Sequence, residues 1–289
     1  MKNQTLEQKT SSSEVFSDEN IRAVRTRAYI SQIKDGFEKK GYEMPEEKII
    51  YFAESLADDK KLDSEYVEDM LKDEYNKKEI ENYQITLEQI LGVRFRFNNK
   101  LSSKAKFKRL LSDTPLSEQT LVKESLYFYE ALNKKPVEKA YYPFSYTDRT
   151  GIYSQLKDVN EVVAVDCAGV GIEGSNVKKI ISDVAKTQDK IDSDSIDLTI
   201  VTPGTPIGGN ISEEKIDYEF RKELQRTMKN QGLLIVPKNI SMNLGGDYKE
   251  SKTNQLEQPI TDYYAKLGKT IFETNDFSVI CVLNKDRDL

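Results

Sequence analysis

Two hydrophobic periods divide the chain. From Asp18 to about Leu132 the apolar residues recur at the three- and four-residue spacing of helices with one buried face. Ile49, Phe52, Ala53 and Leu56 follow Pro45 and two glutamates, a favourable helix start. Val67, Met70 and Leu71 form a second stripe, and Leu121, Ser125, Phe128 and Leu132 a third, after Pro115 and Ser117. Thr86 and Gln89 have the spacing of a capping box ahead of Leu87, Ile90 and Leu91, which predicts a helix start there. Residues 1–17 are polar and aperiodic and read as a flexible tail.

After Lys134, Lys135 and Pro136 the period changes. Short apolar runs predict strands at Ala140–Phe144, Glu161–Cys167, Lys179–Ser182, Asp197–Thr202, Gly232–Pro237, Thr270–Glu273 and Phe277–Leu283. Helices are expected between them near Arg149–Leu156, near Asn176, at Glu213–Lys229 behind an N-cap at Ser212, and at Asp262–Leu267. Strands alternating with helices predict an α/β sheet. The last two strands meet through Thr274, Asn275 and Asp276. Three residues cannot make a parallel crossover, so this pair must be antiparallel.

A mostly parallel sheet ending in an antiparallel hairpin, preceded by a helical N-terminal region, is the expected architecture. It resembles the class I S-adenosylmethionine-dependent methyltransferase fold, a Rossmann-like fold, over roughly residues 136–289. Several phrases are similar to that family: EVVAVD to its second strand, ending in Asp166; IISDVAK to its third, with the loop acid Asp183; DSIDLTIVTP to its fourth, ending at Thr202 and Pro203; and MKNQGLLIVPK to its fifth. The resemblance implies that Asp166, 22 residues after Phe144, reaches the cofactor ribose, and that Asp183 sits beside the adenine. Thr202 and Pro203 would face the methyl-donor side. The first cofactor loop departs from the family. Where spaced glycines are usual, the chain reads KAYYPFSYTDRTG, and Ser145, Thr147 and Asp148 take the cofactor-lining places. Each acid also has a simpler reading: Asp166 as a turn cap, Asp183 as a surface acid, Asp148 as the N-cap of a helix beginning at Arg149.

Composition narrows the chemistry. None of the 289 residues is a histidine. That excludes Ser-His-Asp and Cys-His catalysis and histidine metal sites. Any base must be Asp, Glu, Tyr or Lys, no catalytic residue is singled out, and no metal is expected. Methyl transfer tolerates this, because alignment supplies much of the acceleration. Cys167 and Cys281 lie in separate strand-like runs and suit a reducing compartment, so a cytoplasmic protein is expected, without membrane helix or signal sequence. The net charge of −6 argues against a nucleic-acid-coating protein. One stretch opposes it: RFRFNNKLSSKAKFKRL holds Arg94, Arg96, Lys100, Lys104, Lys106, Lys108 and Arg109 with three interleaved phenylalanines and no acid. Such residues grip phosphates and stack on bases, although a solvated helix face gives the same pattern.

The expected organisation is a tail at 1–17, a helical region at 18–133 and a methyltransferase-like Rossmann domain at 134–289. Two functional readings stand. One is an S-adenosylmethionine-dependent methyltransferase of unknown substrate. The other is a non-catalytic methyltransferase-like binding or scaffold module, contacting nucleic acid through 94–110.

Overall fold

A computed structural model describes residues 16–58, 64–91, 114–143, 145, 148, 151–166, 172–182, 184, 186–187, 189–201, 213–237, 267–273 and 277–283. Among the described residues five helices come first: α1 (Asp18–Lys40), α2 (Glu46–Ala57), α3 (Ser64–Leu71), α4 (Lys77–Leu91) and α5 (Thr114–Asn133). Then follow β1 (Lys139–Pro143), a 3-10 turn at Ile152–Gln155, β2 (Glu161–Asp166), β3 (Val177–Ile181), β4 (Ile196–Ile200), α6 (Glu213–Thr227), β5 (Met228–Pro237), β6 (Gly268–Glu273) and β7 (Phe277–Val282).

The seven strands form one sheet in the order β3-β2-β1-β4-β5-β7-β6. β1 through β5 are mutually parallel, and β7 runs antiparallel between β5 and β6. The expected Rossmann-like sheet with a terminal antiparallel hairpin is therefore present. β2, β4 and β7 are buried along almost their whole length, as strands covered on both faces must be.

Alternate residues build two cores. Ala140, Tyr142, Val162, Ala164, Leu198, Ile200, Leu233 and Ile235 face one side, against Val24 and Ala28 of α1 and Leu121, Val122, Phe128 and Tyr129 of α5. Tyr141, Val163, Val165, Leu234, Val236 and Ile280 face the other, against Phe220 and Leu224 of α6. The second half of α1 instead joins α2, α3 and α4 in a third core around Ile33, Phe37, Phe52, Val67, Leu71 and Leu87. The long α1 thus serves both the sheet and the helical unit. α5 packs on the sheet core and also reaches the second half of α1, where the Tyr127 hydroxyl donates to the Asp35 carboxylate. Phe16, at the end of the segment read as a tail, is buried in the first sheet core, and Ser17 caps α1 through its hydroxyl.

Several local expectations change. Thr86 and Gln89 do not start a helix: Thr86 is buried within α4. The working capping box lies ten residues earlier. The Asn76 side chain accepts from the backbone N–H groups of Lys78 and Glu79 at 3.1 Å, and Glu79 accepts in return from the Asn76 N–H at 2.9 Å. No helix forms at Asn176, whose amide instead donates to the Leu156 and Val159 carbonyls at 3.0 and 2.6 Å. The helix expected at 149–156 is one 3-10 turn, because Gly151 enters it in the left-handed region, at φ 68°. β5 begins at Met228 directly after α6, so no loop separates them. The ends of three predicted strands, at Phe144, Cys167 and Thr202, and the helix at 262–266 lie outside the described residues, as do Ser212 and the basic stretch from Arg94 to Arg109.

Candidate functional site

Strand order decides where a ligand can enter. From β1 the chain moves outward to β2 and β3; at β4 it returns to the other side of β1 and then moves to β5. Connections after β1 and β4 therefore leave in opposite directions, which makes the carboxyl ends of these strands the switch point where ligands enter such sheets. Ser145 and Asp148 follow β1, and Asp166 ends β2 beside it. Topology brings these three to one edge of the sheet. Thr147, Asp183, Thr202 and Pro203 lie outside the described residues, although Thr147 follows β1 and Thr202 and Pro203 follow β4 in the chain.

Asp148 has the most defined surroundings. Its backbone is in the left-handed region, at φ 38°, a conformation that favours Gly, Asn and Asp. Its carboxylate accepts from the Tyr142 hydroxyl and the Tyr153 N–H, both at 3.1 Å, and its carbonyl accepts from Gly151 N–H at 2.9 Å. The turn that lacks early glycines is thus shaped by an aspartate whose side chain closes it from within. Burial pushes the Asp148 pKa above the usual carboxylate value, although these hydrogen bonds oppose the shift. The carboxylate points toward the start of the 3-10 turn and acts there as a cap. Ser145, just before it, is 1% exposed.

Asp166 is 7% exposed at the last position of β2. In the parallel ladder its register partner is Ile181, so both side chains leave the same face of the sheet. Ile181 is 66% exposed, more than any other large apolar residue among the described residues. An exposed aliphatic side chain thus stands beside the strand-end acid. Sequence reading passed over Ile181, since a strand-end isoleucine looks like any core residue. Gln119 was missed as well. A Cβ placed on Gly151 would lie 2.7 Å from its amide nitrogen, so the first turns of α5 lie against the β1 turn. Among the described residues no cluster of acids and cysteines has the makings of a metal site. No described helix is long and apolar enough to cross a membrane.

No protein-family model matches the chain, and no curated protein matches it. Solved structures do. A putative type II methyltransferase from Anaeromyxobacter dehalogenans aligns at 13% identity and a TM-score of 0.30, over 42% of this chain and 46% of its own. An rRNA methylase from Streptococcus thermophilus aligns at 13% identity and 0.37, over 58% and 95%. A didemethyltoxoflavin N1-methyltransferase from Burkholderia thailandensis, crystallised with S-adenosylhomocysteine, aligns at 9% identity and 0.37, over 62% and 83%. This chain thus spans under half the length of the first. The alignments are partial, and the fold assignment rests on strand order and direction. A parallel sheet whose strand order reverses at β1 and β4 and which closes through antiparallel β7 is Rossmann-like and resembles that of class I S-adenosylmethionine-dependent methyltransferases.

Proposed function

We propose that the protein is an S-adenosylmethionine-dependent methyltransferase. The observation that carries this reading is the pairing of Asp166 with exposed Ile181 at the carboxyl end of β2 and β3, beside the switch point between β1 and β4. The cofactor supplies a methyl group on a sulfonium, which is already a good leaving group.

The chain's own residues hold and orient. Asp166 accepts from the ribose hydroxyls, and Ile181 gives the base an apolar wall, with Asp183 beside it in sequence. By their place in the chain Ser145, Thr147 and the turn pinned by Asp148 would serve the amino-acid end, and Thr202 and Pro203, after β4, the methyl side. Asp148 acts here by fixing the turn, since its carboxylate already serves Tyr142 and Tyr153. Holding the acceptor in line with the methyl group is worth up to about 7–11 kcal/mol in well-oriented systems. With no histidine in the chain, any proton leaves to Asp, Glu, Tyr, Lys or water.

Calorimetric titration of the full chain with S-adenosylmethionine and with its demethylated product tests this. Binding of both, weakened by Asp166→Ala, is the expected result. Absence of binding at millimolar ligand would overturn the reading.

A further inference from the structure

The helical unit carries a surface that the proposed methyl transfer does not use. On α2, Glu47, Ile50, Tyr51 and Glu54 are all exposed and stand at the spacing of one helix face. Tyr51 stacks on Tyr66 of α3, with ring centroids 5.6 Å apart and planes 16° from parallel. The Tyr66 hydroxyl is anchored on Ser55 at 3.0 Å, which holds the pair in place. Neighbouring acids are engaged: Asp58 binds Arg22, Glu46 binds Lys34 at 2.8 Å and Glu74 binds Lys48 at 3.0 Å. Glu47 and Glu54 form no ion pair with any described side chain. Ile50 and Tyr51, 37% exposed each, lie between them.

We propose that this tyrosine face of α2 and α3 docks a polypeptide segment rich in lysine and arginine with interleaved apolar side chains. Charge complementarity selects that partner. Between Glu46 and Leu91 acids outnumber bases by fourteen to six, so the unit repels phosphates and attracts cations. Aromatic faces bind ammonium and guanidinium groups, and Glu47 and Glu54 stand on the same helix face as Tyr51. Ile50 asks for an apolar neighbour, which a small cation would not provide. The proposal stands independently of cofactor binding, because none of these residues belongs to the sheet.

The test is fluorescence anisotropy of a labelled synthetic peptide of Lys, Arg, Phe and Leu against the full chain at low salt. Binding is expected to weaken about three- to tenfold with Tyr51→Ala, the worth of one cation–π contact. It should be lost with Glu47→Lys and Glu54→Lys together. Glu81→Lys, on exposed α4 surface, should leave it nearly unchanged. Three results would overturn the proposal: no binding, equal weakening by Glu81→Lys, or self-association of the chain abolished by the same α2 substitutions. The last would make a second copy the occupant. Circular dichroism of each variant confirms that these surface changes leave the fold intact.

Discussion

The Tyr129 hydroxyl donates to the Asp197 carboxylate at 2.5 Å, joining α5 to β4 at the bottom of the sheet. Asp197 is fully buried and accepts three more bonds: from Lys229 Nζ at 2.8 Å and from the backbone N–H groups of Glu138 and Lys139 at 3.0 Å. Four elements, α5, β1, β4 and β5, thus meet on one carboxylate.

Removing that carboxylate leaves the Lys229 ammonium, the Tyr129 hydroxyl and two backbone donors without their acceptor. Asp197→Ala should cost about 3–5 kcal/mol, the range for breaking one side of a buried ion pair. Tyr129→Phe should cost less, about 1–3 kcal/mol. Urea unfolding of each variant measures both. Burial alone would raise the Asp197 pKa, but the bonds from Lys229, Tyr129 and Lys139 outweigh it and hold the value below normal. A depressed acid contributes stability above its unfolded pKa of about 4 and loses it as pH falls through the folded value. The parent should therefore lose its advantage over Asp197→Ala below about pH 4.

Asp148 titrates in the opposite sense. Its folded pKa is raised by burial, so it favours folding below the unfolded pKa and loses that contribution as pH rises through the folded value. Asp148→Asn keeps the left-handed backbone preference and a side-chain acceptor without carrying charge. Its unfolding free energy relative to the parent should improve between pH 4 and pH 7. Asp148→Ala loses both cap and conformational preference, at a cost of about 1–3 kcal/mol. Parallel denaturation series at the two pH values test both outcomes. A pH-independent difference for Asp148→Asn would show that the carboxyl carries no such burden.

Ile181 offers a probe of the ligand edge that spares the fold. At 66% exposure, Ile181→Lys should change stability by no more than about 0.5 kcal/mol. S-Adenosylmethionine affinity should fall nevertheless, because the apolar wall is replaced by a charge. Thermal denaturation and calorimetry on the same preparation separate the two effects.

Gly268 tests the terminal hairpin. A Cβ at this position would lie 1.7 Å from the Cys281 carbonyl oxygen, which is backbone and cannot step aside as a side chain would. Gly268→Ala should therefore separate the start of β6 from β7, with a loss of about 1–3 kcal/mol or more. Faster hydrogen exchange at the Val282 end of β7, Gly268's register partner, should accompany it.

What the sequence determined by itself is the division into helical and alternating halves and the antiparallel closure. These follow from the 3.6- and 2-residue periods and from a three-residue connection too short for a crossover. Local chemistry was legible less evenly. Thr86 and Asn76 both carry a capping pattern, and tertiary contact alone decides between them, since burying Thr86 against the helical core extends α4 through it. The strand-end acid Asp166 was visible, whereas exposed Ile181 was not, because exposure depends on what neighbouring segments leave uncovered. Asp197 drew no notice as part of a strand. Its four donors come from residues up to 68 positions away, brought together only when α5 lies across the sheet. Periodicity is written along the chain, but burial and convergence belong to the packed whole, where distant segments share one dielectric and one set of hydrogen bonds.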